Sequence, residues 1–144
     1  MGAEGPVPVK TGDVLGSGKV VLFAVPGAFT PGCSKLHMPG FVADADAVKA
    51  KGVDKIVCVA INDAWVMDAW GKDQGAGDKV TLLADGNGDF TAEVGLTLDG
   101  SGFGLGTRSQ RYAAIIDDGV VTELMVEPSP GLDVSSAESV LAKL

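Results

Sequence analysis

Two nearly continuous apolar runs, Lys19-Val20-Val21-Leu22-Phe23-Ala24-Val25 and Val53 to Ile61 (VDKIVCVAI), constrain this chain more than any other feature. A strand with one wet face alternates apolar and polar residues. A run without alternation, rich in β-branched residues, marks a strand covered on both faces. Such strands belong in the middle of a parallel sheet, and parallel neighbours need a long crossover between them. The crossover is present. Ser34 to Lys51 carries Leu36, Met38, Phe41, Val42, Ala45 and Val48 along a helical face, with Pro39 breaking or kinking it early and Gly52 ending it. Strand, helix, strand in this order is a right-handed βαβ unit.

The rest of the chain adds elements of the same kind. Asp63 caps a helix running to Lys72, with Trp65, Val66, Ala69 and Trp70 at inward-compatible spacing. Val80 to Ala84 is a third strand, Asp85-Gly86-Asn87-Gly88 a turn cluster, and Asp89 to Val94 a short helix. Two further strands, Arg111 to Asp117 and Val120 to Val126, are joined by Asp118-Gly119 as a hairpin. Ser135 or Ser136 caps a terminal helix, with Glu138 in its first turn. The order βαβαβαββα predicts an α/β thioredoxin-like fold, a central mixed β-sheet flanked by helices on both faces. No repeat or linker divides the chain, and 144 residues make one domain, residues 1–144. Before Lys19, only Val7-Pro8-Val9-Lys10 could supply a strand. The glycine string from Asp99 to Gly106 lacks the Lys-Ser/Thr tail of a phosphate loop and reads as a surface loop.

Composition narrows the function classes. At 46% hydrophobic and 21% charged the chain is globular, and its net charge of −8 disfavours nucleic acid and anionic membrane surfaces as partners. No apolar stretch approaches the roughly 18 residues of a membrane span. The opening Met1-Gly2-Ala3-Glu4-Gly5-Pro6 lacks the basic and apolar regions of a signal peptide, so the expected location is cytoplasmic. Two cysteines without a C-x-x-C spacing exclude a thioredoxin-type dithiol. His37 lies four positions after Cys33, but no second Cys/His pair completes a metal site, and a packed or hydrogen-bonded histidine is the expectation. No metal and no cofactor are implied.

The chemistry concentrates where the first strand meets the helix, in Pro26-Gly27-Ala28-Phe29-Thr30-Pro31-Gly32-Cys33. Prolines and glycines force a rigid turn there, and Cys33 falls at the helix start. Unpaired backbone N–H groups and the positive end of the helix dipole favour a thiolate at that place, and the thiolate is the nucleophile. Thr30, three residues earlier, can cap the turn or aim its hydroxyl at the sulfur.

The stretch Val20 to Val42, VVLFAVPGAFTPGCSKLHMPGFV, resembles the peroxiredoxins, specifically the type II (peroxiredoxin-5-like) branch. The family pattern P-x-x-x-T-x-x-C is filled by Pro26, Thr30 and Cys33. Further matches follow at Ile61-Asn62-Asp63, Ala69-Trp70-Gly71-Lys72, Leu82-Leu83-Ala84-Asp85-Gly86, Arg108-Ser109-Gln110-Arg111-Tyr112 and Ser135-Ser136-Ala137-Glu138. The resemblance covers the chain from Val20 onward, and relatives generally begin with a longer N-terminal stretch.

That resemblance implies a thiol-dependent peroxidase acting on hydrogen peroxide and organic hydroperoxides. Cys33 would attack and form a sulfenic acid. Thr30 and the N–H groups near Gly32 and Cys33 would hold the oxygens, and Pro26 would shape the corner and exclude water. Arg111 matches the family's active-site arginine, with Arg108 as the nearby alternative. Cys58 has two readings. It is either a small buried core residue or a resolving cysteine, as in plant-like members whose second cysteine has the same separation from the first. Other members carry that cysteine in a stretch matched by Gly131-Leu132-Asp133-Val134-Ser135, where Val134 takes its place. An external reductant, glutaredoxin with glutathione or thioredoxin, is therefore preferred. A homodimer formed through loops around the site is expected, with Trp65 and Trp70 as candidate contributors.

Overall fold

The computed structural model describes residues 1–144. In chain order the elements are α1 (Thr11–Leu15), β1 (Lys19–Ala24), a π-helical turn (Cys33–His37) running into α2 (Met38–Ala50), β2 (Lys55–Ala60), α3 (Ala64–Asp73) and β3 (Thr81–Ala84). They continue with α4 (Asp89–Glu93), β4 (Thr97–Asp99), β5 (Thr107–Ser109), β6 (Tyr112–Asp117), β7 (Val120–Val126) and α5 (Ala137–Lys143). The main sheet has the order β3-β2-β1-β6-β7. β1 runs parallel to β2, which runs parallel to β3, and antiparallel to β6, so the sheet is mixed with β1 at its centre. Five of six residues in each of β1, β2 and β6 are buried, as unbroken apolar runs require.

Side chains alternate between the two faces of these strands, and each face has its own core. Val21, Phe23, Ile56, Cys58, Ala113 and Ile115 pack beneath α2, α3 and α5, against Met38, Phe41, Val48, Met67, Trp70 and Val140. Val20, Leu22, Val57, Val59, Ala114 and Ile116 point the other way, toward Leu15 of α1 and Phe90 of α4. Each large apolar side chain so buried contributes about 1.5–3 kcal/mol. Helices therefore cover both faces, in the arrangement the element order predicts.

Local signals placed most boundaries. Asp63 caps α3 by accepting a hydrogen bond from the Val66 N–H at 2.8 Å, and Ser136, not Ser135, caps α5. Asp118 and Gly119 both take positive φ, 47° and 83°, as a tight hairpin with right-handed strands demands. The glycine string is the surface loop expected of it, exposed through most of Ser101 to Gly106, and it connects a two-stranded antiparallel ribbon, β4 and β5. Two expectations need correction. Val7 to Lys10 form no strand, and Val7 and Val9 stay exposed; α1 leads into the sheet instead. Pro39 does not break its helix. It sits in the first turn of α2, just after the π turn, where Met38 N–H reaches back five residues to the Cys33 carbonyl. A π turn is the local adjustment that accommodates such an interruption of the α-helical ladder.

Candidate active site

The corner between β1 and α2 is anchored before it turns. Val25 N–H reaches the Val59 carbonyl at 3.2 Å, and the Ala28 N–H donates to Asn62 Oδ1 at 2.9 Å, tying the loop to the end of β2. Pro26 makes the first bend. Phe29 then takes a positive φ of 65°, a strained conformation for an aromatic residue and one that concentrates at functional sites. Thr30 is the last residue before the helical turns, and its carbonyl accepts the Ser34 N–H at 2.9 Å. Cys33 thus lies in the first turn, and neither its N–H nor that of Gly32 has a backbone acceptor. Gly32 leaves room for the arginine: a Cβ there would stand 3.2 Å from Arg111 Nη2, a tight contact that would press on the guanidinium.

Two donors converge on the Cys33 sulfur. Thr30 Oγ lies 3.0 Å and Arg111 Nη2 3.2 Å from Sγ. The Thr30 hydroxyl also lies 2.6 Å from the Gly27 carbonyl, so its single proton has two acceptors to choose between. Arg111 immediately precedes β6 and is locked at its other guanidinium nitrogen, Nη1, which donates to His37 Nδ1 at 2.9 Å. His37 Nε2 donates in turn to the Ser135 carbonyl at 2.8 Å. His37 is completely buried, and its pKa is lowered to about 4, by burial first and by the Arg111 charge as well, against the pull of the Ser135 carbonyl. It is therefore neutral at pH 7, with Nδ1 free to accept. Ser135 is itself fixed, because Glu127 accepts its N–H at 2.8 Å, its hydroxyl at 2.6 Å, and the N–H groups of Asp133 and Val134. Burial pushes the Glu127 carboxyl up, but those hydrogen bonds outweigh it and hold the group below the ordinary carboxylate range. The structure brings together Cys33, Thr30 and Arg111, all named from the sequence; the chain of support through His37, Ser135 and Glu127 was not named there. The only available signal was the spacing of His37 four residues after Cys33.

The remaining residues named from sequence separate clearly. Arg108 spends its donors on backbone, Nε on the Leu105 carbonyl at 2.8 Å and Nη1 on the Ile61 carbonyl at 3.0 Å, and makes no bond to the sulfur. Cys33 is fully buried and belongs to the same apolar cluster as Phe23 and Met38. Cys58, opposite Phe23 in β2, is equally buried, and both cysteines are free thiols. No hydrogen-bond donor meets the Cys58 sulfur. Burial pushes its thiol well above the ordinary value, with the Cys33 charge adding to the effect and Arg111 opposing it. Trp70 is buried in the core, whereas Trp65 is 65% exposed.

The model of the Redoxin family matches residues 2–141. Among curated proteins the chain is 51% identical over 145 residues to chloroplastic peroxiredoxin-2E of Arabidopsis thaliana, covering 99% of this chain and 62% of that protein. It is 49% identical over 126 residues to peroxiredoxin-2B of the same plant, covering 88% of this chain and 78% of that one. The chain thus spans less than two thirds of the first relative's length. Among solved structures it superposes on reduced Prx3 of Vibrio vulnificus in complex with hydrogen peroxide with a TM-score of 0.88 and 55% identity, covering 92% of this chain and 85% of that chain. The chain belongs to the Redoxin family and, within it, to the type II, peroxiredoxin-5-like branch of the peroxiredoxins, a family of thiol-dependent peroxidases.

Proposed function

We propose that Cys33 is the peroxide-reactive nucleophile of this chain, reducing hydrogen peroxide and small organic hydroperoxides. One observation carries the reading: Thr30 Oγ and Arg111 Nη2 both aim donors at the Cys33 sulfur, in the first helical turn where the Gly32 and Cys33 N–H groups lack backbone acceptors. The thiolate attacks one peroxide oxygen as the O–O bond breaks, and two electrons pass from sulfur to the peroxide. The sulfur becomes a sulfenic acid, and the leaving oxygen departs as water or an alcohol after taking a proton. The guanidinium and the N–H donors stabilise the charge that grows on that oxygen, and Thr30 can turn its hydroxyl from the Gly27 carbonyl toward the incoming peroxide. Pro26 closes the corner against water.

Recycling falls to an external thiol, glutaredoxin with glutathione or thioredoxin. A reductant thiolate attacks the sulfenic sulfur, water leaves, and a second thiol releases the mixed disulfide. Support comes from Cys58, which sits in a central strand with its thiol held protonated by burial, and from Val134 at the other position where branch members carry a second cysteine. Two free thiols and such reductants fit the reducing cytoplasm. The same reading makes the protein a homodimer through loops near the site, supported by the exposed Phe29, Leu36, Trp65 and Phe103.

The test is steady-state peroxide consumption with glutaredoxin and glutathione compared with thioredoxin. Robust turnover with one system, abolished by Cys33→Ser, is expected. Turnover surviving in Cys33→Ser would overturn the assignment.

A further inference from the structure

Cys33 is 0% exposed, and this sets two reactions of the proposed cycle against each other. A hydroperoxide is small enough to reach the corner with minor breathing. A protein or glutathione thiol must approach the sulfenic sulfur in line and cannot do so while the π turn covers it. The turn has to open for every resolution step, so whatever holds it closed governs the second half of the cycle.

Side-chain hydrogen bonds hold the turn at three residues. Those at Cys33 and His37 involve Thr30, Arg111 and Ser135 and form the site itself. The third lies outside it: Trp70 Nε1 donates to Ser34 Oγ at 2.9 Å. Trp70 belongs to α3, is fully buried, and packs in the core with Met67 and Phe41, so the indole cannot follow a moving turn. Ser34 is bonded covalently to Cys33 and must move with it. Opening therefore strands a buried indole N–H without its acceptor, which is the costly way to break a hydrogen bond.

We propose that the Trp70–Ser34 hydrogen bond is a latch on the π turn that sets how the Cys33 sulfenic acid divides between thiol resolution and over-oxidation. Trp70 and Ser34 are thus positioning residues; neither touches the reacting atoms. Closed, the sulfenic acid faces a second peroxide, which oxidises it to sulfinic acid as the O–O bond breaks and water or an alcohol leaves. Open, the sulfur meets the reductant and returns to thiol. This division rests on the reading of Cys33 as the peroxide-reactive residue, whereas the latch itself does not.

The test uses Ser34→Ala, which removes the acceptor, and Ser34→Thr, which keeps a hydroxyl. Trp70→Phe removes the donor and serves should Ser34→Ala fail to fold. Amide hydrogen exchange on the reduced protein is expected to speed up roughly tenfold across residues 33–37 in Ser34→Ala, the size of losing one buried hydrogen bond, with β1 and β2 unchanged and Ser34→Thr close to wild type. In turnover with reductant, the peroxide concentration giving half-conversion to sulfinic acid, read by mass spectrometry, should rise several-fold in Ser34→Ala and return in Ser34→Thr. Unchanged exchange at 33–37, acceleration spread evenly over the sheet, or failure of Ser34→Thr to restore protection would each overturn the latch. Local exchange behaving as expected in a wild-type protein that consumes no peroxide would instead overturn the peroxidase reading and leave the latch standing.

Discussion

Cys33 and Cys58 are buried to the same degree, on the same face of one sheet, yet a hydrogen-bond donor reaches only one of the two sulfurs. Burial alone penalises a thiolate, as it does at Cys58, while donors at hydrogen-bonding distance favour it. Arg111→Gln removes the guanidinium but keeps a neutral amide. Its second-order rate with hydrogen peroxide is expected to fall roughly 30- to 1000-fold, about 2–4 kcal/mol of transition-state stabilisation, with the circular dichroism spectrum unchanged. Thr30→Val should fall in the same direction. Wild-type activity in Arg111→Gln would remove Arg111 from the mechanism, and Arg108, committed to two backbone carbonyls, is poorly placed to replace it. Cys58→Val, a small apolar exchange in a core strand, should leave turnover with an external thiol within about twofold and cost at most ~1.5 kcal/mol of stability. Peptide mapping of peroxide-treated wild type should then give a sulfenic acid or glutathione adduct at Cys33. A linked Cys33–Cys58 peptide pair would instead make Cys58 the resolving residue.

The helical turn that carries Cys33 and the loop after β7 behave as one unit, joined by His37 and Glu127. That unit has a pH dependence with a definite sign. Folding lowers the His37 pKa from 6.5 to about 4, so between those values the unfolded chain binds a proton that the folded chain refuses. Stability is fully present above pH 6.5 and declines as pH falls toward 4, by up to about 3 kcal/mol. Glu127, held below its ordinary value, adds a loss in the same direction at lower pH. Urea denaturation at pH 7, 5.5 and 4.5 should show this decline, and His37→Gln, which cannot titrate, should flatten the portion above pH 4.5. An equally steep slope in that variant would exclude His37 as the source. Legibility divides at this scale too. Asp63, Ser136 and Asp118-Gly119 announced their elements because a cap or tight turn is a bargain between neighbours in sequence. The π turn, α1 and the β4–β5 ribbon gave no such signal, since short or irregular elements depend on what packs against them.

For the molecule as a whole, the consequential feature is the set of large apolar side chains left outside the cores. Phe103 is 90% exposed, Trp65 65%, Leu36 58% and Phe29 53%. Phe29 and Leu36 flank Cys33 in sequence, and Arg108 fastens the loop bearing Phe103 to the end of β2 beside Ile61. Light scattering at micromolar concentration should therefore report a dimer, and Phe103→Ser with Leu36→Ser should shift it toward monomer while each folded chain stays intact. A monomer in the wild type would refute that association. The two tryptophans illustrate why the partition was not visible beforehand. Five residues apart in sequence, they differ by well over a right angle around α3, and only packing against the sheet decides which one faces inward.

By itself the sequence determined the parallel centre of the sheet, the corner that carries Cys33, most helix starts and, through resemblance, the pairing of Cys33 with Thr30 and Arg111. Those are properties of apolar runs, of turn chemistry and of short motifs, all expressed within a few neighbouring residues. Only the tertiary structure decided that His37 holds Arg111, that Glu127 holds the loop holding His37, and that Trp70 reaches Ser34 across 36 positions. It also decided that Cys33 and Cys58 are buried alike but partnered differently. The reason is physical. A buried polar group must find a partner wherever the fold brings one, and that partner can lie anywhere along the chain, beyond the reach of any local motif.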